Sequence, residues 1–481
     1  MTDGPTRSNL LARLGAVVLI ALLAACSDED VAAPASPDAA ATAVADSSAS
    51  STSSTPSTAS TPSTASTPST ASDTTEPERR EFEDEHVSVI GLWSGPELDS
   101  FETVRGAWEE RTGAIVDWDG PRDLAGELLD AVAAGTEPDV AILPSIGLLQ
   151  QLAAAGELVP LRSALDGAQL DADYSAAWLE LGSVDGELYG IPYKVTDKST
   201  VWYSPAGFAD AGYAVPGTWD ELLALADTMV ADGHTPFSVV APKVPGGGGW
   251  ALTDWVSQLV LAGCGPDRYD GWVAGDLAWT DPCIRQSFDR FVTVVQTPGW
   301  VLGGSDAILS TSDAEGSYPM YQDPPTAYMY AMASFAEAFI ADRYPDLVAG
   351  DDYGFFPFPT VDAAFAGAVT IGADVVVMLH DTPAARSFVS YLAGAESQRT
   401  WIELGGFTSV NRSVDLDAYT DPVARAVADH LEGASVVRYG AGDLMPSELQ
   451  QAWWAAMRDL VQAPTVLSAT LDELTAAADA G

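Results

Sequence analysis

The chain has 481 residues, 47% hydrophobic and 19% charged, which is room for two or three domains and for a core that needs no disulfide staples. Its 69 acidic and 21 basic residues give a net charge of -48, and its lysines are Lys194, Lys198 and Lys243. That balance argues against nucleic acid and anionic lipid surfaces, both of which are held through Lys and Arg, while three cysteines are too few for a zinc ribbon.

Arg7 and Arg13 flank the start of an apolar run at 14–25 (LGAVVLIALLAA), 12 residues long. A bilayer span needs about 20 residues, so the run suits the core of a secretory signal. It ends in Leu23-Ala24-Ala25-Cys26, which resembles a bacterial lipobox. Residues 1–25 are therefore expected as a signal peptide and Cys26 as the acylated mature N-terminus. The alternative is an ordinary signal that contains a cysteine. TPSTAS then occurs three times in tandem over 55–72. Hexads of Ser, Thr, Ala and Pro have nothing apolar to stack, so 26–86 reads as a disordered tether.

Folding signals begin at 87. Residues 87–93 (VSVIGLW) form a buried-strand pattern, and Leu98, Phe101, Val104 and Trp108 follow on one helical face, with Gly113 as the stop. A strand at 114–118, a helix at 123–134, a strand at 139–143 and a helix ending before Gly156 complete the alternation. Strand and helix at this period predict a parallel sheet whose ligands lie beyond the carboxyl ends of the strands. The turns carry neither GxGxxG nor GxxxxGK, which argues against a nucleotide. Thr218 and Glu221 form a capping box, and a mobile loop is expected at the glycine run 246–249. A further buried strand is predicted at 369–379, a helix from Pro383 and a last helix at 447–461.

Several stretches carry a likeness. VIGLWSGPELDSF with WEERTGAIVDW, EPDVAILPSIGLLQQLAAAGELVPL, LYGIPYKVTDKSTVWYSPAGFADAGYAVPGTWDELLALAD, GAVTIGADVVVML and DLMPSELQQAWWAAM occur in order. Over 87–481 the chain resembles family 1 extracellular solute-binding proteins of bacterial ABC importers, the maltose-binding-protein group. IPYKVTDKSTVWY, TDWVSQLVLAGCGPDRYDGW and YQDPPTAYMYAMASF look most similar to its alpha-glucoside-binding members. The resemblance implies an α/β, two-lobed periplasmic-binding-protein fold with hinge crossing strands and an interlobe cleft. Lobe I would be 87–194 plus 366–415, and lobe II 195–365 plus 416–481.

A neutral sugar needs flat aromatic surfaces for its C–H faces and polar side chains for its hydroxyls. Leu449, Trp453, Met457 and Leu460 form a core stripe, which turns Trp454 onto a polar face. The family match puts Trp454 at a sugar-stacking position, with interlobe packing as the alternative. Phe335 similarly matches an aromatic platform that is often a tryptophan. Trp93 and Ser94 lie in the first strand–helix loop, where Trp93 reads equally as a strand-end core residue. Asp119 is a hydroxyl acceptor or a helix cap, and Arg122 follows it. Asp117, Asp119 and Asp123 are no EF-hand loop, since Arg122 takes the glycine position and Leu128 the glutamate position. Lys194 and Lys198 either donate to hydroxyls or compensate local charge. Trp250, Asp254, Asp374, Arg438 and Asp443 complete the ligand candidates.

With Cys26 lipidated, Cys264 and Cys283 remain as an even pair outside the membrane, so a disulfide is expected, with two buried thiols as the alternative. The four histidines show no HExxH pattern and no GxSxG elbow occurs, so a glycoside hydrolase is the least favoured reading. The resemblance implies a monomeric lipoprotein on the outer face of the cytoplasmic membrane. It would capture a carbohydrate for membrane permease subunits of an ABC importer, with no cofactor and no metal. A ligand-presenting receptor for a membrane sensor, or a binder of a polyol or peptide, are the alternatives.

Overall fold

The computed structural model describes residues 80–121, 123–241 and 248–478. The leader, Cys26 and the tandem hexads lie outside the described residues, as do Arg122, Lys243 and the first half of the glycine run, Gly246 and Gly247. The end of the stretch expected as tether is already packed. Phe82 is 7% exposed, and its amide bonds to the carbonyl of Thr112.

Among the described residues twelve strands follow in chain order. They are β1 (His86–Ile90), β2 (Ile115–Asp119), β3 (Val140–Leu143), β4 (Ser183–Val184), β5 (Glu187–Leu188), β6 (Gly190–Asp197), β7 (Thr200–Tyr203), β8 (Phe237–Ser238), β9 (Met329–Ala331), β10 (Gly354–Pro357), β11 (Ala368–Met378) and β12 (Val436–Tyr439). In the larger sheet β1 lies between β2 and β3, parallel to both. This is the predicted strand–helix alternation. The helix Pro96–Thr112 ends at Gly113, in the left-handed region at φ 82°. Asp123 caps the helix Leu124–Ala134 by accepting from the amide of Gly126.

The long strand β11 organises the centre. Along one edge it pairs antiparallel with β6, from Ile371 opposite Asp197 to Val377 opposite Gly190. Along the other it takes β12 in parallel over its first residues and β3 antiparallel over its last. Side chains alternate across this sheet, as the two-residue period requires. Val376 and Met378 join Phe101, Trp108, Phe388 and Trp401 on one face, and Val375 and Val377 join Leu128, Leu149 and Leu152 on the other.

The second sheet runs β10-β7-β9-β8. Its main core gathers Trp255, Leu259, Phe288, Phe291, Trp453, Met457 and Leu460. The stripe expected in the helix Ser447–Gln462 is thus buried. That helix is not the last, because a further one spans Leu467–Ala478 and packs Leu471 and Leu474 into the same core. The capping box at Thr218 and Glu221 is present. Cys264 and Cys283 form a disulfide that ties the end of the helix Trp250–Cys264 to the start of Pro282–Gln296.

Candidate functional site

The polar candidates gather on the crossing of β6 and β11. Asp374 stands opposite Lys194, beside a register shift at Val375. Its Oδ2 accepts the Trp93 indole N–H at 2.8 Å, and Lys194 donates to Glu97 in the first turn of Pro96–Thr112. The loop after β1 is thereby tied to the crossing. Burial raises the Asp374 carboxyl above its ordinary value, while Lys194 and the Trp93 N–H pull it back. Trp93 is 4% exposed, with its ring centroid 5.0 Å from Phe101, 4.7 Å from Trp401 and 5.9 Å from the near-parallel Trp118. Its ring is therefore packed as core and offers no open platform. Its contribution to a site is the bond that positions Asp374.

Just beyond β6, Lys198 Nζ donates to Asp443 Oδ2 at 2.8 Å and to Asp254 Oδ1 at 3.1 Å. Three separate elements supply this trio: the turn after β6, the helix Trp250–Cys264 and the short helix Ala441–Leu444. Two glycines leave room for it. A β-carbon at Gly372 would come 3.1 Å from Lys198 Cε, and one at Gly440 would come 3.1 Å from Lys198 Nζ. Burial works against the Lys198 ammonium, yet Asp254 and Asp443 together raise its pKa. Burial pushes the Asp254 carboxyl up to about 6, with Lys198 pulling down and Asp443 pushing up. Asp254 Oδ2 is buried and has no hydrogen-bond partner among the described residues.

The aromatic candidates meet nearby. The rings of Trp250 and Phe335 lie 5.8 Å apart, and Phe335 is 37% exposed. Trp454 is half-buried beside Gly249, where a β-carbon would come 2.8 Å from Trp454 Cβ. The indole Nε1 of Trp454 is buried and has no hydrogen-bond partner among the described residues. Trp453 turns the other way, between Trp272 and Trp279 at 5.3 and 5.1 Å.

An opening of about 700 Å³ is lined by Ser94, Glu97 and Lys194 from the β1 side, and by Ser334, Phe335 and Glu337 from the β9 side. Asp254, Asp374, Asp443 and Trp454 do not line it. Asp119 is exposed at the end of β2; the capping alternative fails for it, because Asp123 is the cap. Arg438 is held in a two-pronged pair with Asp270 at 2.6 and 2.7 Å and does not join the trio. Glu337 was not foreseen. Burial and the neighbouring Asp421 push its carboxyl up to about 9. No local pattern announces it, since the partner comes from a distant segment. Among the described residues no cluster of His, Cys, Asp and Glu could hold a metal ion.

Residues 100–399 match a family model described as bacterial extracellular solute-binding protein. The osmoprotective compounds-binding protein GgtB of Synechocystis is 33% identical over 376 residues, covering 78% of this chain and 88% of that one. The alpha-glucosides-binding periplasmic protein AglE of Rhizobium meliloti is 32% identical over 385 residues, covering 78% and 83%. Among solved structures a chitin oligosaccharide binding protein superposes with a TM-score of 0.69 at 22% identity, covering 82% of this chain and 98% of that one. At that identity the likeness speaks for the fold, which is the expected two-lobed one.

Proposed function

Because the chain belongs to the bacterial extracellular solute-binding proteins, we propose that it captures a neutral carbohydrate of the alpha-glucoside or oligosaccharide class between its lobes and delivers it to an ABC importer. The observation that carries this reading is the part-buried Lys198–Asp254–Asp443 trio, with a buried Asp254 oxygen that has no partner among the described residues, set near the aromatic pair Trp250 and Phe335. An unpaired buried acceptor is costly, and a ligand hydroxyl is the donor that would satisfy it. The Trp454 N–H, which has no partner among the described residues, offers the complementary donor and an indole face. The name of one relative, for alpha-glucosides, supports a sugar ligand, and that of the other, for osmoprotective compounds, supports a small solute.

In this reading lobe I is 87–194 with 366–415 and lobe II is 195–365 with 416–481. Trp454, Phe335, Trp250, Asp254, Asp443, Lys198 and Asp374 meet the ligand or hold those that do, while Ser94, Glu97 and Lys194 rim the entrance. The ligand favours closure because contacts from both lobes exist together only in the closed state. The chain performs no covalent chemistry. It is secreted, lipidated at Cys26, anchored as a monomer to the outer face of the membrane, and docks on two permease subunits. Titration calorimetry against trehalose, maltose, sucrose, raffinose, cellobiose, glycerol and a short peptide tests this. Heat from an alpha-linked sugar is expected. Binding of the peptide alone, or release of reducing sugar from any oligosaccharide, overturns the reading.

A further inference from the structure

A second cavity, of about 310 Å³, lies apart from the residues assigned to the sugar. It shares no lining residue with the 700 Å³ opening, and none of Lys198, Asp254, Asp443, Trp250, Asp374 and Trp454 lines it. Successive side chains at the end of β6 turn to opposite sides, which separates the two places. Lys198 joins Asp254 and Asp443, whereas Asp197 bonds to His430 and Ser199 lines the second cavity. Backbone bonds fix the walls. The Phe358 amide donates to the carbonyl of Ser199, and the Thr360 amide donates to that of Gly217. Three phenyl rings line the space. Phe356 is buried against Tyr203 at 5.3 Å, and Phe358 is set by Trp219 and Trp255 at 6.1 and 5.6 Å. Phe365 seats on Gly265, where a β-carbon would come 2.4 Å from its ring.

Most polar side chains on this cavity are already engaged. The amide of Gln258 is spent on Ala368 and Thr370, and the Ser199 hydroxyl donates to Asp197 Oδ1. His430 differs. Its Nδ1 lies 2.6 Å from Oδ2 of the fully buried Asp197. A carboxylate can only accept, so this bond places a hydrogen on Nδ1 and fixes the ring. Nε2 has no hydrogen-bond partner among the described residues. The cavity thus presents one oriented imidazole nitrogen among aromatic walls.

We propose that this cavity is a second binding site, for a small neutral aromatic compound that carries a hydroxyl, a phenol being the simplest case, with its ring among Phe356, Phe358 and Phe365 and its hydroxyl on His430 Nε2. The site is independent of what the cleft takes. Phenyl walls favour an aromatic guest, which packs against them offset or edge-on. The polar group follows from the imidazole. A hydroxyl both donates and accepts, so it serves His430 neutral or charged. A carboxylate serves only the charged ring, and it would face Asp197 behind that ring, Asp429 on the same helix and a chain of net charge -48. An ammonium loses its acceptor as soon as the imidazole is charged. The volume of about 310 Å³ stands at the lower end of the range for small-molecule pockets, about 300–1,000 Å³, and suits one or two rings.

Titration calorimetry of the full chain with p-cresol, toluene, 4-methylbenzoate and 4-methylbenzylamine tests the class, because the four differ only in the polar group. The phenol should bind with a Kd below about 1 mM and at least about tenfold more tightly than each of the others. His430→Asn keeps an N–H toward Asp197 and removes Nε2, and should bring p-cresol down to the level of toluene. NMR of the imidazoles in the unaltered chain reads the place. The His430 signals should move on adding p-cresol, and those of His86, His234 and His380 should not. Binding of toluene, the benzoate or the amine as tight as that of p-cresol, an unmoved His430, or no heat from p-cresol at about 10 mM overturns the proposal. If His430→Asn does not fold, the four titrations and the His430 signals of the unaltered chain decide.

Discussion

Trp453 and Trp454 are consecutive in sequence and opposite in surroundings. The first is fully buried among Trp272, Trp279 and Phe288, and the second is half-buried, its N–H without a partner among the described residues. Trp454→Ala should weaken sugar binding at least about tenfold, or about 1.4 kcal/mol, and leave the melting temperature of the empty protein nearly unchanged. Trp453→Ala should instead cost about 3–5 kcal/mol of stability, as large-to-small changes in a packed core do. Calorimetric binding and thermal melting of the two variants separate these roles; equal loss of fold in both would make Trp454 merely core. Lys198 gives a second contrast. Replacing it by Met leaves Asp254 and Asp443 facing each other without their cation. Breaking a buried pair in this way costs about 3–5 kcal/mol. Burial already raises the Asp254 pKa, and losing the lysine raises it further, so the carboxyl is best tolerated protonated. The loss in Lys198→Met should therefore be largest at neutral pH and shrink toward pH 5, as denaturant unfolding at the two pH values would show.

Helices and strands are secured by devices of different reach. The capping box at Thr218 satisfies a helix end within four residues and is readable from the text alone. The disulfide joins two helices with 18 residues between its cysteines, and such loops are worth about 3 kcal/mol in the chain-entropy model, whose mechanism is disputed. Cys264→Ser with Cys283→Ser should lower the unfolding free energy by about that amount while leaving sugar affinity intact, because neither cysteine lines the cleft. Denaturant unfolding of the double variant beside the oxidised parent measures it. The crossing of β6 and β11 has no comparable local signal. Its pairing joins segments far apart in the chain, and the resemblance to a known family pointed to it where pattern did not.

In the proposed reading the two lobes hinge about the crossing of β6 and β11, and ligand binding shifts an equilibrium of shape. Small-angle scattering should show the radius of gyration falling when the sugar found by calorimetry is added, with saturation at the calorimetric stoichiometry. An unchanged scattering curve at saturation would remove lobe closure from the proposed mechanism. Among the described residues no helix is long and apolar enough to cross a membrane, so membrane attachment in the proposal rests on Cys26.

Composition, periodicity and capping chemistry specified the first three parallel strands, their helices with glycine stops at Gly113 and Gly156, the core face of Ser447–Gln462 and the cysteine pair, because each is written in residues close together or in simple counts. Family likeness supplied the lobed architecture and most of the candidate residues. Tertiary packing alone decided which candidates meet. It buried the Trp93 ring and left its N–H to Asp374, drew Arg438 away to Asp270, and brought Lys198 between Asp254 and Asp443. These are contacts between side chains separated by long stretches of chain, and their geometry and desolvation exist only once the sheets have formed.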